Sequence, residues 1–393
     1  MPIQTINHFG EMQDMEKRCF DRIGKSVSLL GFGLMRLPQI DESTQNIDYK
    51  TASSMIDMAM EAGVNYFDTA WMYHDGMSEL FAGEVFSKYP RESYFLASKM
   101  PTGTLVKSKN DVDVIFNEQL KKCSVEYFDF YLLHRLTAHN FEHSKALEIY
   151  KYLSEKKEKG YIKHLGFSLH ANKAVLEKIV SEYDWDFGQI QLNYIDWDSC
   201  DAKSLYGILS SKNLPIIVME PVRGGALATL SKEAVAIFKN ANARASIASW
   251  AIRFAASLPN VMTVLSGMST LEQVKDNIAT LDKFVPLSEN EQRIIQRVKM
   301  IYNSSGAIPC TACRYCMECP AGVNIPRVIN IYNHYCTNKN RIDFANSYIT
   351  LFDNQRAHKC VFCGNCIKQC PQDINIPEQL KKVAEFAATF DRL

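Results

Sequence analysis

Residues 64–100 read VNYFDTAWMYHDGMSELFAGEVFSKYPRESYFLASKM. The stretch opens on a short apolar run ending in an acid, VNYFD (64–68), and closes on another, YFLAS (94–98), after which comes Lys99. Between them SELFAGEVFSKY (78–89) carries apolar residues at helical spacing, with Ser78 in the place of an N-cap. The same strand-then-helix unit recurs on both sides. Further apolar runs are VSLLGFG (27–33), FDFYLL (128–133), IKHLGFS (162–168), FGQIQL (187–192), PIIVME (215–220) and MTVLSG (262–267), with helical patterns such as TASSMIDMAMEAG (51–63) between them. Most runs are continuously apolar, the pattern of parallel strands covered on both faces. Eight such units over about 250 residues predict an α/β fold, a (β/α)8 TIM barrel. An open doubly wound sheet is the rival. It asks for an early G-x-G-x-x-G turn, and GFGLMR (31–36) lacks the third glycine.

The last helical pattern of the barrel is LSENEQRIIQRVKMIYN (287–303), and NSSGAIP (303–309) reads as a linker. The remainder of the chain contains an internal repeat. PAGVNIP (320–326) matches PQDINIP (371–377), each directly after a run of cysteines. With Lys+Arg and Asp+Glu at 44 each, the chain carries no net charge, which argues against nucleic acid as its partner. No apolar run approaches the roughly 20 residues of a membrane helix, and the first 20 residues hold no apolar core of a signal peptide. The expectation is a cytoplasmic protein with no membrane partner.

Eight of the 12 cysteines lie in two runs. The first is Cys310-x2-Cys313-x2-Cys316-x2-Cys319-Pro320. The second is Cys360-x2-Cys363-x2-Cys366-x3-Cys370-Pro371 and has the full bacterial ferredoxin spacing. Three thiolates two residues apart wrap one face of a cubane, and in two-cluster proteins the fourth comes from the other run. The expected sets are Cys310, Cys313, Cys316 and Cys370 for one [4Fe–4S] cluster, and Cys360, Cys363, Cys366 and Cys319 for the second. The first run is one residue short before its last Cys-Pro. Zinc ribbons use pairs of C-x2-C rather than four cysteines in series. Cys19, Cys123, Cys200 and Cys336 are expected to be ordinary buried thiols. The segment between the runs, VINIYNHYCTNKNRIDFANSYITLF, looks helical, so the second domain resembles the mainly α-helical ferredoxin-like domains of respiratory-type oxidoreductases.

Chemistry in such a barrel sits at the C-terminal ends of the strands. Asp68 closes VNYFD, Lys99 comes after FLAS, His134 after FDFYLL, and Tyr73 lies five residues past Asp68. Singly, each reads as a structural residue; together they form a constellation. NYFDTAWMYHDGMSE (65–79), LASKM (96–100), DFYLLHRL (129–136) and the opening DRIGKSVSLLGFGLMRLP (21–38) resemble the aldo-keto reductases, in the subgroup that carries a C-terminal two-cluster domain. The resemblance sets a barrel domain at 18–302 and a ferredoxin-type domain at 308–393. It implies a catalytic tetrad of Asp68, Tyr73, Lys99 and His134. Tyr73 would donate the proton that a carbonyl oxygen needs as its carbon accepts hydride. Lys99 would lower the Tyr73 pKa from about 10, and Asp68 would hold Lys99. A neutral His134 would orient the carbonyl.

The same resemblance implies a nicotinamide cofactor. Gly33 and Met35 fall on its side of the opening turn. Ser168 and Gln189 match the residues that hold the carboxamide, although Leu169 stands where the family has Asn, with His170 as a substitute. Pro221, Arg223, Gly224 and Gly225 match the pyrophosphate loop. Gly267, Gln273 and Asn277 match the adenosine side. NADPH-specific members carry Lys and Arg at the positions of Gly267 and Gln273, each charged contact being worth about 1.5–3 kcal/mol. The balance therefore tips from NADP(H) to NAD(H), with Lys275 as a compensating cation. Trp71, His74 and His170 line the expected substrate pocket.

The implied function is NAD(P)H-dependent reduction of a carbonyl to an alcohol, or the reverse. The alternative is a ferredoxin-linked enzyme whose clusters relay electrons to or from a ferredoxin or flavoprotein partner. A non-catalytic nucleotide-binding barrel with structural clusters is the third reading, and the filled tetrad speaks against it.

Overall fold

Eight parallel strands close into a barrel among the residues that the computed structural model describes, namely 15–40, 46–103, 105–317 and 319–390. Most of the N-terminal segment expected to lack a signal peptide lies outside these residues, as does Glu318 in the first cysteine run. The strands are β1 (Leu30–Gly33), β2 (Tyr66–Asp68), β3 (Phe95–Pro101), β4 (Phe128–Leu136), β5 (Ile162–Leu169), β6 (Phe187–Gln191), β7 (Ile216–Met219) and β8 (Val261–Gly267). Each pairs with the next in sequence, and β8 returns to β1 with Gly267 opposite Gly33. Nearly every strand residue is buried, as parallel strands sheathed by helices require.

The run at 27–33 departs from expectation. Ser26–Ser28 pairs antiparallel with Lys17–Cys19, and only Leu30–Gly33 enters the barrel. Polar bonds at Ser28 cause the break. Its Oγ donates to the Leu30 carbonyl at 2.7 Å, and its amide donates to Asn65 Oδ1 at 2.8 Å. The hairpin is tied to the barrel by Arg18, whose guanidinium donates to the carbonyls of Ala256, Val261 and Leu258. Ile23 and Val27 then pack on Tyr66, Phe130, Phe187, Ile217 and Met262 inside the barrel. At Gly31 an added Cβ would lie 2.9 Å from Thr263 Oγ1 and 3.1 Å from the Tyr66 ring, so the missing side chain on β1 makes room for Tyr66.

The helix after β2 also differs. It runs Met77–Phe86 with Gly76 as its N-cap at φ 87°, after His74 and Asp75 at φ 51° and 52°. Ser78 is therefore inside the helix and not its cap. Its buried Oγ lies 2.8 Å from Thr69 Oγ1, tying the helix start to the end of β2.

The chain divides into two compact units, Met1–Pro221 with Ile252–Pro286, and Val222–Ala251 with Leu287–Leu393. The second unit is helical, including Lys232–Ala241, Glu289–Ser304, Ile325–Asn338, Arg341–Ile349 and Ile376–Ala387. The sequence repeat is a repeated helix start. Asn324 and Asn375 occupy the N-cap positions, and Pro326 and Pro377 stand in the first turn, where their missing N–H costs nothing. Val328, Ile329, Phe344, Tyr348, Leu380 and Val383 form a core against which most of the clustered cysteines pack. Cys123 and Cys336 are buried as expected, whereas Cys19 and Cys200 are exposed. No helix among the described residues is long and apolar enough to cross a membrane.

Candidate active site and cysteine centres

The C-terminal ends of β2, β3 and β4 bring Asp68, Lys99 and His134 together, and the left-handed turn after β2 presents Tyr73 to them. Lys99 Nζ donates to Asp68 Oδ1 at 2.5 Å, to the Thr69 carbonyl at 2.7 Å and to the Tyr73 hydroxyl at 3.3 Å. The Tyr73 and His134 rings meet edge-on, with centroids 6.0 Å apart. Asp68 and Lys99 are each 1% exposed, so the pair is out of water and its charges are weakly screened. Gln189 Nε2 reaches Asp68 Oδ2 at 3.5 Å from β6.

The electrostatics differ from expectation at Tyr73. Burial pushes its phenol well above the ordinary value, the Asp68 and Glu220 charges push it further, and Arg36 acts the other way. Burial, the largest influence, outweighs the lowering expected of Lys99. Tyr73 therefore holds its proton at neutral pH. Burial also raises Asp68, against the opposing influence of Lys99 and Gln189. His134 is held well below the ordinary imidazole value by burial and then by Lys99, and His170 is lowered to about 3 by burial and Arg135. Both imidazoles are neutral in ordinary buffers.

Ser168 on β5 stands in register with Gln189 on β6, as the expected carboxamide pair requires, and its Oγ accepts the Arg135 amide at 2.8 Å. The His170 amide donates to the Leu136 carbonyl. Met35 is half-buried in the turn Leu34–Arg36, which packs against the turn Tyr73–Gly76. His74 is buried, and Trp71 is half-buried beneath Lys122 Nζ at 3.8 Å. Gly267 faces Gly33, and an added Cβ there would meet Arg36 Cδ at 3.1 Å. Asn277 Nδ2 donates to Ser266 Oγ, and exposed Gln273 accepts the Ser269 amide. Pro221 ends the first stretch of the barrel unit. Arg223, Gly224 and Gly225 belong to the second unit. There Arg223 lies 3.3 Å from the Tyr302 hydroxyl, and a Cβ on Gly224 would strike the Thr311 carbonyl oxygen at 2.2 Å.

Sequence reading missed three charged residues around this site. Arg36 pairs with Glu220 at 3.2 Å, and Glu220 directly follows β7 at φ 57° with its carbonyl held by Asn193. Glu220 carried the strand-end signal that singled out Asp68. Glu79, fully buried behind β3, had no such signal.

In the second unit the expected exchange of fourth ligands has a geometric counterpart. Cys370 and the first-run thiols Cys310, Cys313 and Cys316 line one pocket. Burial and then the neighbouring Cys313, Cys310 and Cys370 push the Cys316 thiol up to about 12. Cys366 is likewise raised by burial and then by Cys360, Cys363 and Cys319. The two loops repeat one backbone. Ala312 and Arg314 in the first have φ 52° and 66°, and Phe362 and Gly364 in the second have φ 56° and 75°. Such turns point amide N–H groups at a common centre, and the Ala312 amide donates to Cys310 Sγ at 3.4 Å. A zinc ion draws its thiolates to about 2.3 Å from one point, whereas a cubane holds them apart on its corners. The donor set fits iron–sulfur clusters.

Residues 29–299 match the family model described as the aldo/keto reductase family. The chain belongs to that family. Residues 309–376 match a 4Fe-4S dicluster domain. The aldo/keto reductase part is similar to L-galactose dehydrogenase of Arabidopsis thaliana, 23% identical over 308 residues, which covers 72% of this chain and 93% of the relative. It is similar to the NADH-specific methylglyoxal reductase of Escherichia coli, 21% identical, covering 70% and 95%. An aldo-keto reductase of Bacillus halodurans in its holo form shares the fold with a TM-score of 0.60 at 23% identity, covering 72% and 96%.

Proposed function

We propose that this aldo/keto reductase reduces an aldehyde or ketone with a nicotinamide cofactor. The observation that carries this reading is the contact of the buried Lys99 Nζ with both Asp68 and the Tyr73 hydroxyl, beside a neutral His134. The nicotinamide, when bound, supplies the hydride. Tyr73 keeps its proton through neutral pH and gives it to the carbonyl oxygen. Lys99 stands beside that hydroxyl and stabilises the phenolate left behind. His134, kept neutral by burial, donates a ring N–H to the same oxygen and orients it. Ser168 and Gln189, paired across β5 and β6, would hold the carboxamide.

NADH is the proposed coenzyme. Gly267 and Gln273 offer no cation, and the Arg36 stem fills the space that a side chain at 267 would take. The Escherichia coli relative is named as NADH-specific. In the second unit Cys310, Cys313, Cys316 and Cys370 would hold one cluster, and Cys360, Cys363, Cys366 and Cys319 the other. Each cubane passes single electrons when present. A second reading, electron exchange with a redox partner, is favoured by the exposure of Cys363 with Val361 and Phe362 beside it.

Tyr73→Phe tests the first reading. Carbonyl-dependent NADH oxidation should fall to background while NADH binding persists; normal turnover would overturn the assignment. Anaerobic mixing of NADH with cluster-replete protein, and then EPR, tests the second. Reduced clusters support electron exchange, and silent clusters refute exchange with NADH as donor.

A further inference from the structure

Behind β3, on the side away from Lys99 Nζ, lies a buried polar cluster that the reaction does not use. Its centre is Glu79, fully buried in the helix Met77–Phe86. Glu79 Oε1 accepts from Ser98 Oγ at 2.6 Å and from Gln119 Nε2 at 2.5 Å. Gln119 Nε2 also reaches the Lys99 carbonyl at 3.1 Å, and Gln119 Oε1 accepts from the Tyr131 hydroxyl on β4. Glu79 Oε2 is buried with no hydrogen-bond partner among the described residues. An acid left half-satisfied out of water is costly to keep. An apolar side chain would fill the same space without that cost.

The connectivity supplies a reason. Helix Met77–Phe86 comes directly after the turn that carries Tyr73, and β3 carries Lys99. Glu79 joins the helix to Ser98, the residue before Lys99, and through Gln119 to the Lys99 backbone. On the other side of the strand, Lys99 Nζ meets the Tyr73 hydroxyl at 3.3 Å. We propose that Glu79 is a positioning residue, which fixes the helix bearing Tyr73 against the strand bearing Lys99 and so sets the separation of their reacting atoms. Orientation at this level matters because a displacement of about 1 Å in a reacting pair costs about 100-fold in rate. The inference rests on the proposed role of Tyr73 and Lys99 in carbonyl reduction.

The test uses the full cluster-bearing chain with Glu79→Gln and Glu79→Ala, read by kinetics and by crystal structures in the same form as the wild type. The Gln oxygen can still accept from Ser98 and Gln119, so Glu79→Gln should keep kcat within about 3-fold. Glu79→Ala should lower kcat by about 10-fold or more, leave the NADH KM within about 2-fold, and lengthen the Lys99–Tyr73 contact. If Glu79→Ala does not fold, Ser98→Ala removes the 2.6 Å bond to Glu79 and the 3.0 Å bond that Ser98 Oγ accepts from Gln119 Nε2, while Glu79 keeps Gln119. It should show the same lengthening with a smaller loss of kcat. An unchanged contact in the Ala variants, a kcat within about 2-fold of wild type, or equal losses in Gln and Ala overturns the proposal. A wild type that reduces no carbonyl refutes the Tyr73 reading instead, and the crystallographic comparison still decides the role of Glu79.

Discussion

Asp68→Asn separates the two roles that the structure assigns to Asp68. The carboxylate holds Lys99 Nζ at 2.5 Å, and Nζ in turn lies 3.3 Å from the Tyr73 hydroxyl. Asp68 and the phenol oxygen are therefore within about 6 Å of each other, where two unit charges at an effective dielectric near 20 interact by about 3 kcal/mol. That is about 2 pH units on the ionisation of Tyr73. The sign comes from the charge. Asp68 disfavours the phenolate, so its neutralisation lowers the Tyr73 pKa. The wild type should show kcat for reduction level through neutral pH, because burial, Asp68 and Glu220 all hold the proton on the phenol. In Asp68→Asn the alkaline limb should move toward neutral by about 2 pH units, measured as kcat against pH at saturating NADH and carbonyl. Asn keeps an oxygen for Lys99 but leaves its buried charge uncompensated, at about 3–5 kcal/mol of stability, which lowers the unfolding midpoint. A limb that stays in place or moves upward would refute the claim that Asp68 sets the acidity of Tyr73.

The same geometry sets four further outcomes. His134→Ala should cost about 100-fold or more in kcat, and the wild-type profile should show no inflection near pH 6.5, because burial and Lys99 hold this imidazole well below that value. Gln273→Arg adds a cation at an exposed position and should tighten NADPH binding by about 10- to 150-fold without affecting NADH, measured by fluorescence titration. Cys370→Ser with Cys313→Ser should keep one cluster, about four irons per chain, whereas Cys370→Ser with Cys363→Ser should lose both. Iron analysis and EPR distinguish these outcomes from a cluster held within each run. Gly31→Val should destabilise by about 1–3 kcal/mol, seen as a lower melting temperature, because even its Cβ would lie 2.9 Å from Thr263 Oγ1.

Much of the architecture is local information. Continuous apolar runs such as FDFYLL and PIIVME reveal buried parallel strands, since periodicity records which faces meet water. Counting them yields the barrel, and the barrel puts their last residues at one mouth. That is why Asp68, Lys99 and His134 could be grouped without coordinates. The misreadings were also local. Ser78 has the chemistry of a cap, but three successive left-handed residues start the helix earlier and turn its hydroxyl inward to Thr69. Ser28 looks like part of a strand, but its side-chain bonds break the run in two.

The sequence by itself determined the barrel, the strand-end constellation and the two cysteine runs, because each is written in spacing along the chain. Only the tertiary structure brought the expected thiols onto one pocket, since Cys370 meets Cys310, Cys313 and Cys316 across some 60 residues. It also set burial and the Asp68 charge against the expected lowering of the Tyr73 pKa, because both depend on what surrounds the hydroxyl in space. It alone brought Glu79 behind Lys99 and Arg36 onto Glu220, for barrel closure and helix packing set those distances and no local pattern encodes them.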